Sequence, residues 1–190
     1  MRGVLALVLV AASGFAMAQT PKEMSAESMN RGQTMADAIQ SAAGTDAAFF
    51  AAGLVKEGSR GDLAAQVQYP SDEIIILKLS GAQIKDALER SISLHPSANP
   101  AFLYTAGMEV TFNAKNAPDS RITSVTINGS AMNATATYRV AMPGSLARGG
   151  LGYFSVWDKK HIESTVQGAT VESALKGKSV SPSTSRWRAA

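Results

Sequence analysis

The side chains able to do chemistry are few. The 190 residues contain two histidines and no cysteine. Disulfides, Cys-ligated zinc, iron–sulfur clusters and thiol catalysis are therefore excluded. His95 and His161 stand 66 positions apart, so a multi-histidine metal cage is not available. Two-metal phosphoester cleavage needs several His, Asp and Asn ligands converging on ions about 3.5–4 Å apart. His161, among Asp158, Lys159, Lys160 and Glu163, reads as a solvated face, and His95 before Pro96 reads as loop. Gly149-Gly150-Leu151-Gly152 either presents backbone amides to an anion or makes a tight turn that the fold requires. It lacks Walker spacing and a following Lys-Ser/Thr, which favours the turn. Tyr69, Tyr104, Tyr153, Phe154 and Trp157 either line a pocket or pack around turns of the core. No catalytic residue, metal ligand or cofactor site is assigned.

These residues need elements to position them. Residues 1–18 have a charged start, an apolar run from Val4 to Ala12 and the small-x-small ending Ala16-Met17-Ala18. That is the pattern of a secretory signal peptide, too short to span a bilayer. Export to the periplasm or cell surface of a bacterium is expected. The chain from Gln19 would carry 17 basic and 15 acidic side chains, a balance that gives no reason to expect nucleic-acid binding. No transmembrane span is expected after residue 18. Residues 19–26 read as a polar lead-in.

Asn30 and Gln33 have capping-box spacing, Met35, Ala36 and Ile39 share a helix face, and Gly44 marks a stop. Ala47 to Phe50 reads as a buried strand, and Gly53, Gly58 and Gly61 break the next stretch into loop. Ile74–Leu79 is the strongest strand signal. Ser80 and Gln83 form a second capping box before a helix that buries Ile84, Leu88 and Ile92 and keeps Lys85, Asp86, Glu89 and Arg90 wet. Met108, Val110 and Phe112 alternate with polar residues. Val125 and Ile127 precede Asn128-Gly129, a hairpin turn, with Tyr138, Val140 and Met142 as the returning strand. Residues 166–190 read as a short helix, Val171 to Lys176, and a mobile tail. Lys159-Lys160 and Arg186-Trp187-Arg188 would suit an acidic partner, a lipid surface or a wall polymer. The expected fold class is α+β (mixed α/β), one domain over residues 27–165.

Five motifs in this order resemble the C-terminal domain of the 5'-nucleotidase family. They are GQTMADA at Gly32–Ala38, Tyr69-Pro70, IIILKLSGAQIKDALE at Ile74–Glu89, FLYTAGM at Phe102–Met108 and GGLGY at Gly149–Tyr153. The resemblance covers about residues 27–160. It implies a domain that holds the nucleoside in two-domain enzymes whose other domain, a metallophosphoesterase, carries the metals. This chain carries only the second, so no hydrolysis is expected of it alone.

The family's binding residues fall on changed positions. The stacking Phe and reading Asn of "PFxN" fall on Ser71 and Glu73, and the second stacking Phe falls on Ser145. The Asp of "GGDGY" falls on Leu151, beside Tyr153. The Arg and Asn of "NxGGIR" fall on Val55 and near Phe50. Tyr69 or Phe50 would have to replace a lost ring, and Arg148 or Arg60 the lost cation. Each stacking face is worth about 1–3 kcal/mol. The resemblance thus points to an exported, non-catalytic binding or assembly module, a subunit of an envelope complex with a protein partner. A nucleoside or other small ligand stays open. The alternative is the substrate-binding half of a split 5'-nucleotidase, acting in nucleotide catabolism with a separate metallophosphoesterase.

Overall fold

The computed structural model describes residues 25–56 and 58–190. The signal-peptide reading of residues 1–18, most of the lead-in and Glu57 lie outside the described residues. Helix α1 spans Ala26–Ala43. Its cap is Ser25, whose hydroxyl accepts the Ser28 N–H, not Asn30 as the capping-box spacing suggested. Gln33 is fully buried and serves another purpose, described below. Met35, Ala36 and Ile39 are buried together, and Gly44 ends the helix at φ 59°. A left-handed residue frees the last carbonyls to be capped, and glycine adopts it without a Cβ penalty.

Strand β1 (Ala47–Ala51) is buried along its whole length. After two short 3-10 turns come β2 (Glu73–Ser80) and α2 (Gly81–Ser91). The Ser80–Gln83 capping box is present in both directions. Ile84, Ala87 and Leu88 are buried. Glu89 and Arg90 depart from the expected wet face. Glu89 is 5% exposed because its carboxylate accepts the N–H groups of Arg121 and Ile122, at 3.1 and 2.7 Å. Arg90 donates to the Leu151 carbonyl at 2.8 Å.

Strands β3 (Leu103–Ala106), β4 (Met108–Phe112), β5 (Ile122–Ile127) and β6 (Ser130–Ala131) follow, then β7 (Thr137–Pro143) and α3 (Gly144–Ala147). The chain closes with β8 (Ile162–Thr170), α4 (Val171–Leu175) and β9 (Trp187–Ala189). Two sheets result, ordered β3-β1-β7-β2-β8 and β6-β5-β4-β9. In the larger sheet β1 and β7 are parallel, and the other pairs are antiparallel. This mixed α/β architecture agrees with the expected fold class.

The Asn128-Gly129 turn forms, with φ values of 50° and 76°. The returning strand is β6, of two residues, and not Tyr138–Met142. Residues 140–143 are all buried, so β7 crosses over to the interior of the larger sheet, between β1 and β2. A strand buried on both faces belongs in a sheet centre.

The expected mobile tail ends instead in strand β9, which pairs parallel to β4. Gln33 holds the approach to it. Its Nε2 donates to Ser183 Oγ at 2.7 Å, and its Oε1 accepts the Arg186 N–H at 2.7 Å. Arg186 then donates to the Thr105 carbonyl and to Asp37. No helix among the described residues is long and apolar enough to cross a membrane.

Candidate functional site

The segment Tyr69–Glu73 is where β2 begins. The Asp72 N–H donates to the Tyr69 carbonyl at 3.1 Å, closing a turn over Pro70 and Ser71. Proline presets φ for the second position of such a turn. The turn is then tied to two other elements. Asp72 Oδ2 accepts the Ser145 N–H of α3 at 2.7 Å. The carbonyls of Asp72 and Pro70 accept the N–H groups of Val171 and Glu172, both at 2.8 Å.

Phe50, Tyr69 and Ser145 come together at this junction. With Leu54, Val67, Asp72, Pro143 and Val171 they line a shallow recess that leaves no room for a water molecule. Phe50 is fully buried beneath it, and Tyr69 is 57% exposed. The Ser145 hydroxyl is buried without a hydrogen-bond partner.

The other sequence-derived positions do not line the recess. Ser71 is exposed on the turn. Glu73 is exposed and accepts from Arg148 Nη2 at 2.6 Å. The same guanidinium lies 3.9 Å from Asp72. Arg148, a candidate for the missing cation, is thus matched by two carboxylates. Arg60 is exposed in the loop before the second 3-10 turn. Val55 forms an isolated antiparallel bridge with Val67, a framework contact.

Leu151 and Tyr153 belong to the glycine loop. Leu151 sits at φ 55°, between Gly149 at φ 89° and Gly152 at φ 83°. Its carbonyl is the acceptor for Arg90. Tyr153 is wholly buried, stacked 4.6 Å from Trp157 with the Arg90 guanidinium 5.4 Å above its ring. Its hydroxyl donates to the Ala101 carbonyl. Burial pushes its phenol well above the usual tyrosine range. Tyr153 is a core residue here and shows no ring face to the recess. The Gly149 N–H is spent on the Leu146 carbonyl at 2.9 Å, and the Gly149 carbonyl accepts from Phe154. This is a turn held by its own backbone.

His161 accepts the Asp158 N–H at Nδ1 and lies 2.8 Å, at Nε2, from the Gln83 amide nitrogen. It braces the start of α2. Asp37 pairs with Arg186 at 2.9 Å. Among the described residues, no group of three or more His, Asp and Glu side chains is gathered as a metal centre would need.

Asp72 was missed from sequence. Its signal was its place in Pro70-Ser71-Asp72-Glu73, but its partner lies 73 positions away. Also missed was a larger cavity beside Trp187, because the tail was read as mobile.

Comparison with known proteins places this geometry. The model of the family described as "5'-nucleotidase, C-terminal domain" matches residues 10–158. A trifunctional nucleotide phosphoesterase protein of Bacillus subtilis, YfkN, is 33% identical over 148 residues, which is 70% of this chain and 10% of that protein. The chain thus spans about a tenth of that relative's length. A 5'-nucleotidase precursor from Thermus thermophilus has the same fold, with a TM-score of 0.67 at 19% identity over 91% of this chain and 40% of its own. The NAD nucleotidase NadN of Haemophilus influenzae follows, with a TM-score of 0.66 at 18% identity over 85% and 33%. The family match and the shared architecture make this chain a member of the 5'-nucleotidase C-terminal domain family.

Proposed function

We propose that this chain is an exported, non-catalytic binding or assembly module, a 5'-nucleotidase C-terminal domain that works in the bacterial envelope through a protein partner. The observation that carries this reading is the recess bounded by Phe50, Tyr69 and Ser145. It leaves no room even for a water molecule, whereas sites that take small molecules offer roughly 300–1,000 Å³. Two polar neighbours, Asp72 and Glu73, are already bonded to the Ser145 N–H and to Arg148. A nucleoside would have to break those bonds and would find Ser71 and Ser145 where the resemblance expects aromatic rings. The signal-peptide pattern of residues 1–18 supports export. The exposed rings of Tyr69 and Phe154, 57% and 76% accessible, support contact with a partner.

A second reading is favoured by the relationship to YfkN, a nucleotide phosphoesterase by name. In it, this chain is the substrate-binding half of a split 5'-nucleotidase completed by a metallophosphoesterase. Isothermal titration of residues 19–190 with adenosine and AMP, with and without Mn²⁺, separates the two. The module reading expects no heat at millimolar ligand. Saturable binding in the low micromolar range overturns it, and a gain in phosphatase activity on mixing with a metallophosphoesterase domain would establish the second.

A further inference from the structure

We propose that a second cavity, away from the recess, binds a small, uncharged molecule built on a flat ring. The cavity holds about 350 Å³ and is lined in part by Met29 of α1, Ile92 and His95 after α2, and Phe102, Phe112 and Trp187. Ser91, Pro96, Ser97 and Ser185 complete the described lining. Its size falls within the range typical of small-molecule sites.

The walls select for shape. Phe102 and Trp187 lie 5.0 Å apart, tilted by 42°, and Phe112 meets Trp187 edge-on at 6.1 Å. His95 stands edge-on to Phe112 at 4.9 Å. The aromatic walls thus stand at different angles to one another, which suits a planar guest that stacks on one ring and meets the edge of another. Trp187 is locked because its Nε1 is spent on the Leu103 carbonyl at 3.0 Å. Its indole N–H is not free for a guest, and the ring is already oriented, so little side-chain entropy is lost on binding.

The polar groups select for charge. No Asp, Glu, Lys or Arg is among the described lining residues. An ion held against this lining would give up part of its hydration with no Asp, Glu, Lys or Arg to compensate. Ser91 is fully buried, with its oxygen accepting the Leu103 N–H. The Ser185 hydroxyl is engaged with the Trp187 backbone in both directions. His95 and Ser97 remain to bring a ring nitrogen and a hydroxyl to the edge of a guest. An uncharged ring with one or two hydrogen-bonding groups on its rim matches this lining.

The test is an NMR titration of the full chain with benzyl alcohol and indole as neutral probes and benzoate as the charged counterpart. The Trp187 indole N–H resonance is followed, alongside Ser97→Phe, which adds bulk to the cavity lining, and Tyr69→Ala, which alters the recess. The expected result is saturable movement of the Trp187 signal by the neutral probes and at least tenfold weaker binding of benzoate. Ser97→Phe should abolish the response and Tyr69→Ala should leave it unchanged, so this proposal and the reading of the recess fail separately. Absence of saturation up to the solubility limit overturns the proposal, as does benzoate binding as well as benzyl alcohol. Should Ser97→Phe not fold, intermolecular NOEs between indole protons and the Met29 methyl in the wild type serve instead. Their presence supports the site and their absence overturns it.

Discussion

Trp187 Nε1 donates to the Leu103 carbonyl at 3.0 Å, so a strand of the smaller sheet is bonded to the edge strand of the larger one. The ring is 8% exposed and packs against Phe102 and Phe112. Trp187→Ala removes that ring and leaves a carbonyl unpaired. A loss of about 3–5 kcal/mol is expected. Urea unfolding checks it as a lower midpoint at unchanged slope. Trp187→Phe keeps most of the packing and should lose only about 1–3 kcal/mol. An alanine variant as stable as the wild type would mean that the Trp187 side chain contributes nothing to the fold.

Gly32→Ala is expected to destabilise, against the ordinary helix rule. Alanine is the better helix former by about 1 kcal/mol. Yet Gly32 lies against Tyr104, and an added Cβ would fall inside the Tyr104 ring. Tyr104 is 4% exposed, so its ring has little space into which to retreat. Overpacking of about 1–3 kcal/mol should outweigh the propensity gain. A double-mutant cycle with Tyr104→Leu isolates the cause. In that background Gly32→Ala should become neutral or stabilising, and an unchanged penalty would refute the steric account.

Glu89 ties α2 to the smaller sheet through the N–H groups of Arg121 and Ile122. Glu89→Ala strands both donors, one of them in a buried contact, and should cost about 2–4 kcal/mol. Glu89→Gln retains an acceptor oxygen and should cost less. Hydrogen exchange provides the local readout. Protection of the Ile122 amide should fall in the alanine variant by more than global destabilisation accounts for.

How much of this was legible in the sequence depended on the range of the interactions. The β2–α2 unit was readable because its signals are local, namely an apolar run and a capping box closed within three residues. The Asn128-Gly129 turn was readable for the same reason. Its return strand was misread because the chain's turn at Asn133–Ala136 sends β7 into the other sheet. Strands β8 and β9 were not seen. Both lie at sheet edges, and the residues of β8 are half-buried or exposed, so neither carries a buried strand's apolar run. Trp187 is buried by Leu103 and Phe102, more than 80 positions away, which no local pattern reports. At the candidate site, the meeting of Phe50, Tyr69 and Ser145 followed from the family resemblance alone. The bond from the Ser145 N–H to Asp72 had no sequence signature.

Acid should weaken the fold through three surface carboxylates. Asp62 is held below the usual carboxylate range, first by the N–H of Ala64 and then by that of Gly177. Asp158 is lowered chiefly by the Lys160 N–H, and Glu163 by its bonds with Arg139 and then Lys78. A carboxyl whose pKa falls on folding releases its proton more readily in the folded state. Its contribution is fully present above the unfolded value and is lost as pH falls through the folded one. The window therefore opens at about pH 4 and extends downward. Because all three groups are open to solvent, each effect should be modest, and that of Glu163 should shrink in high salt. Thermal melts from pH 6 to pH 2.5 provide the measurement. Asp62→Asn keeps an oxygen acceptor for only one of the Ala64 and Gly177 N–H groups and cannot titrate, so it should lower stability at neutral pH and flatten the acid limb. The triple variant Asp62→Asn, Asp158→Asn, Glu163→Gln should flatten it further. An acid limb as steep in the triple variant as in the wild type would show that the proton uptake occurs elsewhere.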